Sequence, residues 1–143
     1  HEKCFVIGID INKDNIDKAR QLKRNNSLKN IVFRCDDINN LLEVKADVVI
    51  LSNILEHIDG RREFLQNIIK KTSAKKYLIR VPLFERDWQI PLRKELEIDY
   101  FSDVDHKVEH KLEEFKSEIF ISNLKITEIS TMWGEIWANC ENE

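Results

Sequence analysis

Ala46–Ile58, ADVVILSNILEHI, is the stretch on which the fold turns. Asp47 leads into an apolar run, Val48-Val49-Ile50-Leu51. Two small polar residues follow, Ser52 and Asn53, and then Ile54-Leu55-Glu56-His57-Ile58. A continuous β-branched run without alternation predicts a strand of a parallel sheet, covered on both faces. The run stops abruptly and passes into a helical turn. Ligands in such sheets sit beyond the carboxyl ends of the strands, and Ser52 and Asn53 fall at that end.

Working outward, the same alternation recurs. Cys4–Ile9 reads as a strand ending at Asp10-Ile11. Asn12 is placed to cap a helix that carries Ile16, Ala19 and Leu22 and ends at Asn25-Asn26-Ser27. Ile31 to Cys35 reads as a second strand, stopping at Asp36-Asp37, and Ile38, Leu41 and Leu42 belong to a short irregular or helical piece. Beyond the central stretch, Phe64, Leu65, Ile68 and Ile69 mark a helix over 61–71, and Lys75–Val81 a further strand closed by Pro82. Strands alternating with helices imply βαβ crossovers and a parallel sheet. The residues from Leu83 to Asp105 break the pattern. They form a polar and aromatic insertion with Trp88, Pro91, Tyr100 and Phe101, and 93–98 is predicted as a short helix. A segment this long after a sheet strand reads as a lid or substrate-facing element, or as a cover for apolar sheet. Leu112, Phe115 and Ile119 then mark a helix. Leu124–Met132 and Glu135–Cys140, separated by Gly134, read as a closing antiparallel hairpin in which Trp133 and Trp137 are expected to pack.

The fold class is therefore α/β: a Rossmann-like, doubly wound, mostly parallel sheet with a C-terminal antiparallel hairpin. One domain is expected for 143 residues. The hydrophobic share of 42% and charged share of 34% are those of a globular chain in water. A net charge of -3 gives no electrostatic reason to expect nucleic acid. No apolar run is long enough to cross a membrane, and no basic-then-apolar leader is present. Cys4, Cys35 and Cys140 are odd in number and contain no CxxC pair, so they read as free thiols of a reducing cytoplasm. Only three glycines occur, Gly8, Gly60 and Gly134, and no GxGxxG loop can be built from them.

Three predicted strands end in polar residues: Asp10, the Asp36-Asp37 pair, and Ser52-Asn53. An acid at the end of such a strand can accept hydrogen bonds from vicinal ribose hydroxyls. Each alone also suits a helix cap. Together, in a parallel sheet, they favour an adenosine-type ligand.

VIGIDINKDNIDKAR, IVFRCDDINNL and ADVVILSNILEHI, taken in order, resemble successive motifs of the class I S-adenosylmethionine-dependent methyltransferases of the broad type 11 group. KKYLIRVP resembles that fold's fifth strand. HKLEEFKSEIFISNLKITEIS followed by WGEIWA resembles its final helix and hairpin. The resemblance implies S-adenosylmethionine as cofactor. Asp10 would hold the ribose hydroxyls, Ile11 would lie against the adenine, Asp36 would bind the adenine amino group, Asp37 would supply a neighbouring backbone contact, and Ser52 would lie near the methionine portion. It implies methyl transfer to a small-molecule acceptor, with no catalytic residue assigned and no metal.

The sequence departs from that pattern at its beginning. The family's first strand and glycine-rich loop precede the ribose-binding acid by about 20 residues, and only nine precede Asp10. The reading is accordingly a partial methyltransferase domain over 1–143, truncated at its N-terminus. S-adenosylmethionine binding by this chain alone is expected to be weak or absent, and unpaired sheet edges are expected to invite a homodimer. Three alternatives stand beside it. A non-catalytic methyltransferase-like binding module is one. An NAD-binding Rossmann domain is another, disfavoured by the closing hairpin and the LEHI turn. The third is a metal-dependent RNA 2′-O-methyltransferase, whose ExxEH and downstream His motifs resemble Glu56, His57 and His106, with Asn53 standing where the first Glu should be.

Overall fold

The computed structural model describes residues 4–40 and 42–142. The chain divides into two compact units, residues 1–42 and 43–143.

In the first unit, β1 (Val6–Asp10) and β2 (Ile31–Cys35) pair in parallel, from Val6 opposite Ile31 to Asp10 opposite Cys35. The crossover between them is α1 (Lys13–Asn25). Its start was legible. Asn12 Oδ1 accepts from the backbone N–H of Asp14 at 2.9 Å and of Asn15 at 3.3 Å, satisfying amides that a helix N-terminus leaves unpaired. Asp14 in the first turn and Lys23 and Arg24 in the last complement the helix dipole. Ile16 is buried, whereas Leu22, expected on the same face, is 61% exposed. Gly8 is required by packing, since a Cβ there would meet the Phe33 ring at 2.7 Å. Residues 38–40 form a turn, and Leu41 lies outside the described residues.

The second unit holds β3 (Val48–Ser52), a 3-10 turn at Leu55–His57, α2 (Arg61–Thr72) and β4 (Lys76–Pro82). After them come a 3-10 turn at Phe84–Arg86, α3 (Gln89–Glu95), α4 (Leu112–Ile121), β5 (Leu124–Met132) and β6 (Glu135–Asn142). Its sheet runs β3-β4-β6-β5: β3 and β4 are parallel, and β6 lies antiparallel between β4 and β5. The α/β alternation, the parallel pairs and the antiparallel closing hairpin are all present. Among the described residues β1 and β3 share no ladder.

Tyr77, Ile79 and Val81 of β4 alternate into the core, with Leu65 and Ile68 of α2 and Phe115 and Ile119 of α4 also buried. The opposite face is open, and this corrects the expectation for β3. Leu51 is buried, but Val48 is 44% and Ile50 68% exposed, and Leu78, opposite Ile50, is 40% exposed. The run is apolar on both faces, but within this unit only one face is covered.

Two further expectations move. The short helix lies at Gln89–Glu95 rather than 93–98, because Asp87 Oδ1 accepts from the Gln89 N–H at 2.9 Å and so starts it earlier, with Pro91 in its first turn. Trp133 is 82% exposed rather than packed in a core, its ring edge-on to Trp137 at 6.2 Å. Trp133 and Gly134 both have positive φ, 55° and 75°, as a two-residue type I′ hairpin turn demands.

Candidate functional site

Asp10 and Asp36 meet at the carboxyl end of the β1–β2 pair. The strand register places Asp10 opposite Cys35, and the next residue's amide, Asp36 N–H, donates to the Asp10 carbonyl at 3.1 Å. The Asp10 carboxylate is held in place by its own helix: Oδ1 accepts from the Asn12 N–H at 2.7 Å and Oδ2 from the Asn15 side-chain amide at 3.1 Å. A carboxylate offers about four acceptor positions, so these two bonds orient the group and leave capacity for hydroxyl donors. Asp36 Oδ1 accepts from the Asp37 N–H at 2.9 Å, and Asp37 Oδ1 from the Asn39 N–H at 2.8 Å, which fixes the turn after β2. Ile11, the residue after Asp10, is 76% exposed and presents an apolar side chain to solvent. Four of the five predicted cofactor contacts thus share one strand edge. The fifth, Ser52, ends β3 in the second unit, exposed and opposite Arg80.

The second unit carries its own polar cluster. Asn53, with φ of 54°, is engaged by Arg80, whose Nε donates to Asn53 Oδ1 at 2.8 Å and pairs with Glu135 at 2.9 Å. The guanidinium carbon lies 5.1 Å from the Trp137 ring centroid. Asn53 is therefore a strut for the β3 end. In the turn after it, Leu55 is fully buried and His57 is exposed, as helical spacing suggests. Glu56, although charged, is only 1% exposed. Its carbonyl accepts from the Lys107 N–H at 2.7 Å, pinning the 101–110 segment against the turn.

That segment brings in residues the sequence did not reveal. The Glu109 side chain is fully buried and accepts from Arg86 Nη1 at 2.8 Å, the Ser102 N–H at 2.7 Å and the Ser102 hydroxyl at 2.7 Å, with His106 Nδ1 at 3.0 Å. Burial by itself would raise its pKa, but these donors outweigh it and hold the carboxyl at about 2. The i, i+3 spacing of His106 and Glu109 was the available signal. His106 also meets His57 edge-on, with ring centroids 4.9 Å apart. His110 plays a different part: buried, it has Nε2 at 3.5 Å from Glu118 Oε1, and its carbonyl accepts from the Phe84 N–H at 2.8 Å. An open cleft lies elsewhere, between the start of α2 and α4, lined by Arg61, Glu114 and Glu118 among others.

A profile of the family described as a methyltransferase domain matches residues 1–137. The chain belongs to the methyltransferase domain family. Solved structures agree on the fold. An O-methyltransferase of neocarzinostatin biosynthesis (NcsB1), in complex with S-adenosylmethionine and 2-hydroxy-5-methyl naphthoic acid, superposes with a TM-score of 0.77 at 16% identity over 100% of this chain and 43% of its own. Magnesium protoporphyrin IX methyltransferase from Synechocystis PCC 6803, with bound SAH, gives 0.72 at 14% identity over 97% and 64%. The small RNA methyltransferase HEN1 gives 0.73 at 16% identity over 96% and 20%. The chain thus spans less than two thirds of the length of these three methyltransferases. No sequence match among curated proteins accompanies these likenesses. Among the described residues, no helix is long and apolar enough to cross a membrane.

Proposed function

We propose that this methyltransferase domain binds S-adenosylmethionine and serves methyl transfer to a small-molecule acceptor. The observation that carries the reading is the adjacency of Asp10 and Asp36 at the carboxyl end of a parallel strand pair, with Asp10 already oriented by Asn12 and Asn15. Asp10 accepts from the ribose hydroxyls, Asp36 from the adenine amino group, and Ile11 covers the adenine face, with Asp37 bracing the turn. Ser52 stands on the methionine side. When bound, S-adenosylmethionine supplies a methyl group already activated by its sulfonium, so the protein's share is largely positioning.

The acceptor side belongs to the 83–105 segment, with 1–143 acting as a single domain. Trp88, Leu96, Ile98 and Val104 are all more than half exposed there, while Phe84 and Ile90 anchor the segment by burial. Exposed apolar side chains over a buried base suit a small organic acceptor better than a polyanion, as does the net charge of -3. The NcsB1 and protoporphyrin enzymes carry small molecules in their names, which adds to this preference. Three scattered cysteines without a CxxC pair, all free thiols, support reading the protein as cytoplasmic.

Ligand-observed NMR tests the reading even at weak affinity. With S-adenosylmethionine added to the 143-residue chain, saturation should pass most strongly to adenine and ribose protons, and Asp10→Asn should weaken binding about tenfold, the loss of a charge-assisted contact. Equal saturation along the whole ligand, or unchanged binding in Asp10→Asn, would refute it.

A further inference from the structure

The 83–105 segment carries an apolar stripe that its own packing does not account for. Along α3, the Leu92 N–H donates to the Trp88 carbonyl at 3.3 Å and the Leu96 N–H to the Leu92 carbonyl at 3.0 Å. Trp88, Leu92 and Leu96 therefore recur every fourth residue along one side of the helix. They are 70%, 40% and 61% exposed, and Ile98 and Val104 extend the exposed apolar surface beyond the helix. The base beneath is fixed: Phe84 and Ile90 are buried, and the Phe84 N–H donates to the His110 carbonyl at 2.8 Å. Clustered apolar surface held open on a fixed base marks a binding surface.

The charge of the segment selects what it binds. Residues 83–105 hold seven acids and three bases, a net of -4, against -3 for the whole chain. The molecule's negative charge is thus concentrated here. It is also interleaved with the apolar residues: Leu96 stands between Glu95 and Glu97, Ile98 between Glu97 and Asp99, and Val104 between Asp103 and Asp105. These five acids are all exposed, and among the described residues none of them is in an ion pair. Two of the three bases already have partners. Arg86 pairs with Glu109 at 2.8 Å, and Lys94 Nζ lies 5.2 Å from the Phe84 ring centroid and 5.0 Å from that of Tyr100. Apolar surface set among unpaired carboxylates repels anions and attracts a cation with an apolar body.

We propose that this surface recognises an amphiphilic cation, an alkyl- or arylammonium compound, as the acceptor class of the domain. The nitrogen is the recognised group, whichever atom of the molecule takes the methyl. The inference rests on the reading of 83–105 as the acceptor side. It is tested without S-adenosylmethionine, so failure here leaves the adenosine site at Asp10 and Asp36 standing, and failure there leaves this surface standing.

Octylammonium, octanol and octanoate are the probes, because they share one chain and differ in charge. Each is kept below its aggregation limit and titrated into the 143-residue chain at neutral pH. Octylammonium should bind saturably on calorimetry, with NMR shifts confined to the Trp88 indole and the amides of 88–104. It should bind about tenfold tighter than octanoate, with octanol between them, since exposed ion contacts are weak singly but act together here. Added salt should close that gap. Leu92→Ser combined with Leu96→Ser should weaken octylammonium binding about tenfold through lost apolar contact. Glu95→Gln combined with Glu97→Gln should weaken octylammonium, strengthen octanoate and leave octanol unchanged, a pattern that a merely structural role would not produce. The substituted side chains are exposed, so both variants should melt with the wild type. The probe series and its salt dependence decide the matter on the wild type alone if they do not. Octanoate bound as tightly as octylammonium, shifts outside 88–104, or no saturable binding would overturn the proposal. So would a chain that is dimeric by light scattering and becomes monomeric when both leucines are replaced, because the stripe would then belong to a second copy.

Discussion

Glu118 shows how one side chain can carry a pH dependence. Burial pushes its pKa up, but hydrogen bonding and charge from His110 and Arg61 outweigh that and bring it below the ordinary 4.5. A carboxylate whose pKa falls on folding adds stability at pH above its unfolded value and loses it as pH drops through the folded one. The second unit should accordingly keep this contribution at neutral pH and lose it below about pH 4.5, the unfolded value. Glu118→Gln should flatten that part of the acid-unfolding curve and cost about 1–3 kcal/mol at pH 7, because Arg61 and His110 lose their anion. Urea titrations across pH would check both. In the first unit, Asn12→Ala removes a cap that serves two amides and should cost about 1 kcal/mol. Asn12 was legible because a cap is a local matter, settled within three residues of chain. Glu56 and Glu109 were not. Their burial depends on the 101–110 segment folding back onto the turn after β3, a contact across some fifty residues that no local pattern encodes.

At the scale of elements, the strands were read almost to the residue because β-branched runs bounded by polar residues leave little choice. The error lay in the environment of β3. An apolar run promises cover on both faces, but the cover comes from other elements, and in its unit Val48, Ile50 and Leu78 remain open. The α3 boundary slipped because Asp87 and Pro91 together mark a helix start, whereas the Arg93–Ile98 stretch offers only propensity. The closing hairpin was legible from Gly134, and the structure supplies a second reason for it. A Cβ on Gly134 would come within 2.8 Å of Arg86 Cβ, in addition to the strain of its positive φ. Its carbonyl also accepts from the Leu83 N–H at 3.0 Å, so the turn braces the start of the 83–105 segment. Gly134→Ala should destabilise the fold by about 1–3 kcal/mol through overpacking and backbone strain. Urea unfolding followed by Trp137 fluorescence would measure it, and a neutral substitution would show that the turn has room to shift.

Over the whole molecule, burial is unevenly shared. Among the described residues of the first unit, Ile16 is the one buried side chain, whereas the second unit buries Leu55, Leu65, Tyr77, Ile79, Val81, Phe115, Ile119 and Ile136 almost completely. Each fully buried aliphatic or aromatic side chain contributes about 1.5–3 kcal/mol, so the two units should not share one stability. Local opening follows such differences, and amides exchange with solvent at a rate set by the least stable unit that contains them. In the 143-residue chain, the β1 and β2 amides should therefore exchange much faster than those of β4 and β6, although all four strands are hydrogen-bonded in ladders. The unit predicted to loosen first is the one that carries Asp10 and Asp36. Under the proposed function, adenosine bound to those acids stabilises that unit preferentially, since a ligand favours the state that binds it. Hydrogen-exchange mass spectrometry with and without S-adenosylmethionine separates the two ideas. Slowed exchange confined to residues 6–10 and 31–37 would support both the uneven stability and the site, whereas uniform exchange in all four strands without ligand would show that the molecule opens as one body.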